Sequence, residues 1–247
     1  MANLIINGQS INYNVYGAGP NLLLIHDGFY GQTSWQPVIE RLSQNFKVIT
    51  YDRSGYGKSS HITGFTGDII AHGALELYNF CESLKLDKFH LCGHCLGAAI
   101  SIHFTSLYPE RVDHLILESA GLYADDKSED KCNYVFRPYD TLDYEFKKSL
   151  QEMHGKDYST FLWEIMRAYK DSYIMNPSYS ILDRLKQIKK SILFIYGDRD
   201  FYFDVIHANT GYRLKKQSEL CIFPRTGHLP HIERKDEFCN ELEKFLL

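Results

Sequence analysis

The sequence predicts an α/β fold, with a mostly parallel central sheet flanked by helices and a helical cap inserted into it. Three observations carry this expectation. Short runs rich in Leu, Ile and Val alternate with helically spaced stretches along most of the 247 residues, and that order builds a parallel sheet with helices on both faces. A glycine-bracketed turn, Gly93-His94-Cys95-Leu96-Gly97, joins one such strand directly to a helix. The alternation then lapses between about residues 122 and 188, where the chain becomes polar, helical and aromatic.

Residues 3–7 and 10–16 read as an opening hairpin around Asn7-Gly8, a dipeptide favoured in two-residue hairpin turns. Residues 22–26 and 47–51 are strands of the buried type, and residues 35–43 between them have helical spacing. Residues 67–84 form a longer helix with Ile69, Ile70, Ala74, Leu77 and Phe80 on its apolar face. Residues 89–92 are the strand before Cys95, and the small-residue run from Gly97 to Ile102 is the helix after it. Strands follow at 113–118, 191–196 and 220–223, and residues 236–247 close the chain as an amphipathic helix. The core therefore spans 1–121 and 189–247, and the cap spans 122–188.

The cap holds Tyr134, Phe136, Tyr139, Tyr144, Phe146, Tyr158, Phe161, Trp163, Tyr169, Tyr173 and Tyr179, with no strong strand. It is expected over the carboxyl ends of the strands, where ligands bind in such sheets. Most of these rings are expected to glue the cap to the core. A few, Trp163 among them, are expected to line an apolar substrate pocket.

Lys and Arg number 27 against 31 Asp and Glu, a net charge of -4, so no nucleic-acid or anionic-membrane partner is expected. No apolar run approaches the roughly 18 residues of a membrane-spanning helix. The opening residues lack the basic and apolar regions of a signal peptide, which points to a cytoplasmic location. Of six cysteines, Cys92 and Cys221 sit in strand-like runs and Cys81 and Cys239 in helical ones. That is core usage in a reducing compartment rather than a disulfide framework. Cys92-x-x-Cys95 has a redox or metal spacing, but no second such pair completes a zinc site, and no His/Asp/Glu cluster has ligand spacing. Gly55-Tyr56-Gly57-Lys58-Ser59 lacks the spacing of a phosphate loop. No metal and no cofactor is expected.

The Gly-x-Cys-x-Gly turn matches the nucleophile elbow, with cysteine where serine usually stands. The glycines let the turn close so that a strained central residue projects its side chain. An activated thiol needs a base, and the base an orienting group. The best base is His228, in a loop after the 220–223 strand and within a Gly-His-x-Pro-x-x-Glu arrangement. Asp198 and Asp200 both lie just past the strand at 192–196, and Glu118 ends the strand before it. Asp198 also suits a purely turn-forming role. The helix starting near Leu96 directs its amino-terminal dipole at Cys95, which favours a thiolate and an oxyanion.

Together these features resemble the α/β-hydrolase fold family with a small cap, over nearly the whole chain. Residues 22–26 and the glycine-bearing loop after them resemble its His-Gly oxyanion strand. Tyr51-Asp52-Arg53-Ser54-Gly55-Tyr56-Gly57-Lys58-Ser59 resembles its Asp-x-Arg-Gly-x-Gly-x-Ser turn. Cys95, Asp200 and His228 stand in the family's order of nucleophile, acid and histidine. The overall likeness is to serine-type esterases and peptidases; dienelactone hydrolases and polyhydroxyalkanoate synthases carry a cysteine elbow on the same fold.

The resemblance implies a hydrolase of carboxylic esters or thioesters that forms an acyl-Cys95 intermediate. His228 would serve as base and Asp200, rather than Asp198, as its orienting acid. It implies Leu96 N–H as one oxyanion donor. The second is Gly28 if the loop register is kept and Phe29 if Asp27 is an insertion, with Gly28 preferred. The expected partner is a small acyl substrate with an apolar or aromatic part, with Asp27, Phe29 and Trp163 as candidate contacts. Acyl transfer would use the same intermediate, and a ligand-binding or signalling protein on this scaffold is the alternative from another class.

Asp27 departs from the family's His-Gly pair. Pointing into the site, its charge would oppose a thiolate or an oxyanion, bind a cationic group or act as an extra acid or base. Turned away, it would cap the loop. Asp52 and Arg53 are expected to form a structural turn with an internal ion pair. His94 is expected to pack behind the nucleophile, and His90, His103 and His114 to be core or surface residues.

Overall fold

A computed structural model describes residues 2–65, 67–126, 128–169 and 176–247; Tyr173 of the cap lies outside the described residues. Asn7 and Gly8 take positive φ of 50° and 80°, turning the chain between β1 (Ala2–Ile6) and the antiparallel β2 (Gln9–Tyr16). This is the backbone that an Asn-Gly turn supplies at least steric cost. From there the chain alternates: β3 (Asn21–Ile25), α1 (Gln36–Leu42), β4 (Lys47–Tyr51), α2 (Ile69–Ser83), β5 (Phe89–His94), α3 (Leu96–Leu107) and β6 (Val112–Glu118). The excursion after β6 carries α4 (Ser128–Val135), α5 (Tyr144–His154), α6 (Lys156–Tyr169) and α7 (Leu182–Gln187). The fold closes with β7 (Ile192–Gly197), α8 (Val205–Leu214), β8 (Ser218–Phe223), α9 (Pro230–Glu233) and α10 (Lys235–Leu246).

The eight strands form one sheet in the order β1-β2-β4-β3-β5-β6-β7-β8. β2 meets β4 antiparallel, and β4, β3, β5, β6, β7 and β8 run parallel. Alternate residues of β3 show how the sheet divides the core. Leu23 and Ile25 pack with Leu77, Phe80, Ile100 and Phe104 of α2 and α3. Leu22 and Leu24 face Trp35, Val38 and Leu42, together with Phe238 and Leu242 of α10. A two-residue side-chain period buried on both faces is what made these strands read as continuous apolar runs.

Asp68 starts α2 by accepting the N–H groups of Ile70 and Ala71, the N-cap role its short carboxylate favours. The excursion leaves and returns on paired strands of backbone: Tyr123 bridges Ser180, Ala124 N–H donates to Tyr179 O, and Ile181 N–H donates to Leu122 O. α7 packs on α3 and α8. The helices α8 and α9 lacked a clear periodic signal: α8 buries only His207, Ala208 and Gly211, too few apolar positions to mark a face.

The parallel order brings the ends of β3, β5, β7 and β8 to one edge of the sheet. The close fit there depends on Gly97. A Cβ at Gly97 would stand 2.4 Å from Ile25 O and 2.5 Å from His26 O, both backbone atoms. Gly97→Ala is therefore expected to destabilise the fold by about 3 kcal/mol, in the range of severe overpacking, measured by chemical unfolding against the unchanged protein.

Candidate active site

β5 passes into α3 through a single residue, Cys95, at φ 53° and ψ -114°. This is a strained backbone for any residue with a Cβ. Neighbours hold it there. Cys95 N–H donates to Glu118 O at 2.9 Å, and Cys95 O accepts the N–H groups of Ala98 and Ala99. A Cβ at Gly93 would lie 2.4 Å from Gly97 O, so both glycines of the turn are there for close approach. The thiol is 8% exposed.

His228 and Asp200 arrive from the loops after β8 and β7. His228 Nδ1 lies 2.8 Å from Asp200 Oδ2. Asp200 Oδ1 accepts the N–H groups of Tyr202 (2.8 Å) and Phe203 (3.1 Å), which fixes the carboxylate. Since that carboxylate only accepts, His228 carries its proton on Nδ1, and Nε2 is left as the working nitrogen. Among the described residues His228 Nε2 has no hydrogen-bond partner, Cys95 Sγ included. Burial alone would lower the His228 pKa, but the Asp200 carboxylate raises it above the ordinary imidazole value. Burial alone would raise the Asp200 carboxyl, but His228 holds it below the ordinary range. Asp198 instead accepts Thr226 N–H at 3.2 Å. Glu118 Oε1 accepts both the N–H (2.8 Å) and Nδ1 (2.9 Å) of His231. Neither carboxylate pairs with His228.

The loop after β3 carries Asp27, whose side chain is buried. Its Oδ1 accepts the N–H groups of Phe29 and Tyr30, both at 2.7 Å, so Asp27 caps its own loop. The Phe29 N–H is thereby engaged inside the loop, while Gly28 faces the Leu96 side chain and lines the cavity above Cys95. Asp27 Oδ2 lies 3.5 Å from His94 Nδ1. The Asp27 carboxylate is thus engaged by backbone N–H groups and faces a histidine, and Asp27 is not among the described residues that line the cavity.

The cavity over Cys95 has a volume of about 80 Å³ and is overwhelmingly apolar. Phe29, Tyr56, Phe65 and Ile69 form one wall, and Val135, Phe136 and Met166 of the cap another. Tyr202 and Phe203 close it beside His228, with the Tyr202 ring 4.4 Å from the imidazole. Lys131 is the one charged lining residue among those described, and its Nζ donates to Tyr202 O at 3.1 Å. Phe29 lines the cavity as expected. Trp163 does not: it is fully buried behind Phe29, ring centroids 5.7 Å apart, with its indole N–H donated to Arg137 O at 2.9 Å. A tryptophan at the centre of a helical cap satisfies its N–H internally, and sequence alone cannot separate it from a pocket wall. Tyr202 and Phe203 escape the sequence reading, although the run Phe201-Tyr202-Phe203 directly after the candidate acid was a usable signal. His154 secures the cap to this floor: its Nδ1 accepts Gly57 N–H at 2.9 Å and its Nε2 donates to Phe29 O at 2.8 Å.

Asp52 and Arg53 form no ion pair with each other. Asp52 accepts from Gln32 N–H (2.7 Å), Gln32 Nε2 (3.0 Å) and Lys58 N–H (3.0 Å). Arg53 lies 4.5 Å over the Tyr56 ring and donates to Asp27 O. Successive residues at the end of β4 point to opposite sides, which defeats an adjacent pair. Among the described residues, His94, Glu118 and His231 could converge on a cation, with donor atoms within 4.8 Å of one another. Glu118 Oε1 is held by His231, and His94 Nε2 by His228 O at 2.8 Å, while His94 Nδ1, Glu118 Oε2 and His231 Nε2 have no hydrogen-bond partner among the described residues.

Burial pushes the Cys95 thiol up to about 12; Asp27 and Asp200 add to the rise, and His94 and the Leu96 N–H oppose it. Burial thus works against a standing thiolate at Cys95.

A family model described as alpha/beta hydrolase fold matches residues 21–164, more than half of the chain. The chain is 25% identical, over 257 residues covering 96% of each protein, to the pimeloyl-[acyl-carrier protein] methyl ester esterase of Aliivibrio salmonicida. It is 23% identical, over 92% of its length and 88% of the relative, to the 2-hydroxy-6-oxo-6-phenylhexa-2,4-dienoate hydrolase of Comamonas testosteroni. The solved meta-cleavage product hydrolase of Pseudomonas fluorescens superposes with a TM-score of 0.81 at 20% identity, covering 99% of this chain and 97% of that one.

Asp200→Asn removes the charge that lifts the His228 pKa and leaves burial to act alone. The His228 titration, followed by imidazole NMR, is expected to move to lower pH. An unchanged titration would contradict the pairing.

Proposed function

Because the chain belongs to the alpha/beta hydrolase fold family, we propose that it hydrolyses carboxylic esters or thioesters through an acyl-Cys95 intermediate. The observation that carries this reading is Cys95, held in strained backbone at the floor of an apolar cavity, with an Asp200-held His228 packed 4.4 Å from Tyr202 of the same cavity. The relatives named as an ester esterase and a dienoate hydrolase support the reaction class.

In the proposed reaction Cys95 Sγ attacks the acyl carbonyl carbon while His228 Nε2 takes the thiol proton. The raised thiol makes this a general-base step, as with a serine hydroxyl, rather than attack by a standing thiolate. The developing oxyanion is met by the N–H groups of Gly28 and Leu96, the latter at the amino end of α3. One such donor is worth about 3 kcal/mol in the transition state. Collapse breaks the ester or thioester bond, and His228 returns the proton to the leaving alcohol or thiol. Water then attacks the acyl-Cys95 thioester with His228 again as base, releasing the acid and the thiol. The apolar cavity suits an aliphatic or aromatic acyl part. No helix among the described residues is long and apolar enough to cross a membrane.

The thiol pushed up to about 12 also favours a second reading, a binding protein for an apolar ligand with slow or no turnover. Mixing with an activated ester separates the two. The hydrolase reading expects a burst of leaving group equal to the enzyme, an acyl mass on the Cys95 peptide, and loss of both in Cys95→Ala. Ligand binding without adduct or turnover would overturn it.

The base form of His228 is required, so kcat/KM is expected to rise with pH. The rise passes through a pKa above the ordinary imidazole value of about 6.5, because Asp200 raises it against the effect of burial. A pH–rate profile checks this, and an acid limb below the ordinary imidazole value would contradict it.

A further inference from the structure

Asp27 stands where the resemblance places glycine, and its buried carboxylate lies close to a thiol and to the site of a developing negative charge. Left alone, it would oppose both. Its surroundings show how it is tolerated. Oδ1 is consumed by the N–H groups of Phe29 and Tyr30, 2.7 Å each. Oδ2 faces His94 Nδ1 at 3.5 Å, an ion-pair distance rather than a short hydrogen bond. His94 ends β5 immediately before Cys95 and is fully buried. Its Nε2 lies 2.8 Å from His228 O. A carbonyl oxygen only accepts, so that nitrogen carries a proton. The other nitrogen faces a carboxylate, which also only accepts once ionised. Both ring nitrogens of His94 therefore meet acceptors, the arrangement that suits an imidazolium.

We propose that Asp27 and His94 are a positioning pair that ties the oxyanion loop to the backbone of His228 and cancels the Asp27 charge beside Cys95. The pair spans three segments. Through Oδ1, Asp27 sets the loop that presents Gly28. Through His94, the same carboxylate is linked to the loop that carries His228. The charge is balanced where it matters, because the imidazolium lies next to the residue whose thiol must be deprotonated. The inference rests on Cys95 being the nucleophile, but its test does not require turnover.

Beside Asp27, Arg53 donates to its backbone O, and His26 Nδ1 lies 2.9 Å from the same oxygen. Asp27 and Asp200 face Cys95 with negative charge and His94 with positive. Glu118 of β6, Asp27 and His228 face His94, and the His231 ring of α9 lies 5.2 Å from it. Lys131 of α4 and Tyr202 line the cavity from the cap side and the β7 loop. Burial alone would lower the His94 pKa, but Glu118 and Asp27 hold it above the ordinary imidazole value. Burial alone would raise the Asp27 carboxyl, but His94 and the loop N–H groups hold it well below the usual carboxylate range.

The test is alkylation of Cys95 by iodoacetamide across pH, read at the Cys95 peptide by mass spectrometry because Cys132 lines the same cavity. His94→Gln keeps a donor for His228 O but removes the imidazole that faces Asp27 Oδ2, leaving Arg53 at its backbone oxygen as the nearby cation. Its alkylation profile is expected to move to higher pH by about one unit, a roughly tenfold slower reaction at neutral pH. Asp27→Asn with His94→Gln is neutral and similar in shape, and is expected to recover to within about threefold of the unchanged protein. A double variant as slow as His94→Gln would reduce the pair to packing and overturn the proposal. If His94→Gln does not fold, imidazole NMR of the unchanged protein decides. Both ring N–H groups of His94 are expected at pH 7.5, and a neutral His94 there would overturn it. An alkylation pattern as expected in a protein that hydrolyses no ester would leave this inference standing and sink the hydrolase reading.

Discussion

The passage of β5 into α3 through one residue is the constraint on which the rest of the site depends. Cys95 sits at φ 53° and ψ -114° because α3 starts within contact of the end of β3. At that approach Gly97 has no room for a Cβ. The strain costs on the order of 1–3 kcal/mol and is borne by the packed sheet beneath. What it yields is placement. The thiol stands clear of the strand, the amino end of α3 points at the same spot, and the loop after β3 lies alongside. The other groups then need only come from neighbouring strand ends, which a parallel sheet supplies on one edge.

Buried charge is the second constraint. Three carboxylate–imidazole pairs lie around the turn: Asp200 with His228, Asp27 with His94, and Glu118 with His231. An unpaired buried charge costs several kcal/mol, so each member restricts where its partner can stand. The pairs also connect loops distant in sequence, since His231 ties α9 to the end of β6 and His94 touches the backbone of His228. Among the described residues no carboxylate or imidazole is hydrogen-bonded to the Cys95 sulfur, and burial raises the thiol pKa. In the proposed reaction such a cysteine would be used much as a serine is, with its proton removed during attack.

Much of this was legible in the sequence because two-residue and helical periods record burial directly. The sheet strands, α2, α3 and α10 agree with their apolar patterns to within a few residues, and Asn7-Gly8 identified the hairpin turn. The partners of charged side chains were not legible. Asp52 and Arg53 are adjacent in sequence yet face different neighbours, and Asp27 became a loop cap through two backbone N–H groups. The cavity walls come from segments as far apart as Phe29, Phe65, Val135, Met166 and Tyr202. Their convergence is a tertiary fact with no local signature. Trp163 illustrates the limit: helical spacing and size suit both a cap core and a pocket wall, and packing decided for the core.

The central claim is that a carbonyl carbon bonded to Cys95 Sγ places its oxygen between the N–H groups of Gly28 and Leu96. The most direct measurement is a crystal structure of the hemithioacetal that Cys95 would form with an aliphatic aldehyde, whose oxygen occupies the oxyanion position. The expected result is a covalent bond to Cys95 Sγ, the oxygen about 3 Å from both N–H groups, and the alkyl chain in the apolar cavity. An adduct whose oxygen points away from the loop after β3, or an aldehyde bound without a bond to Cys95, would contradict it.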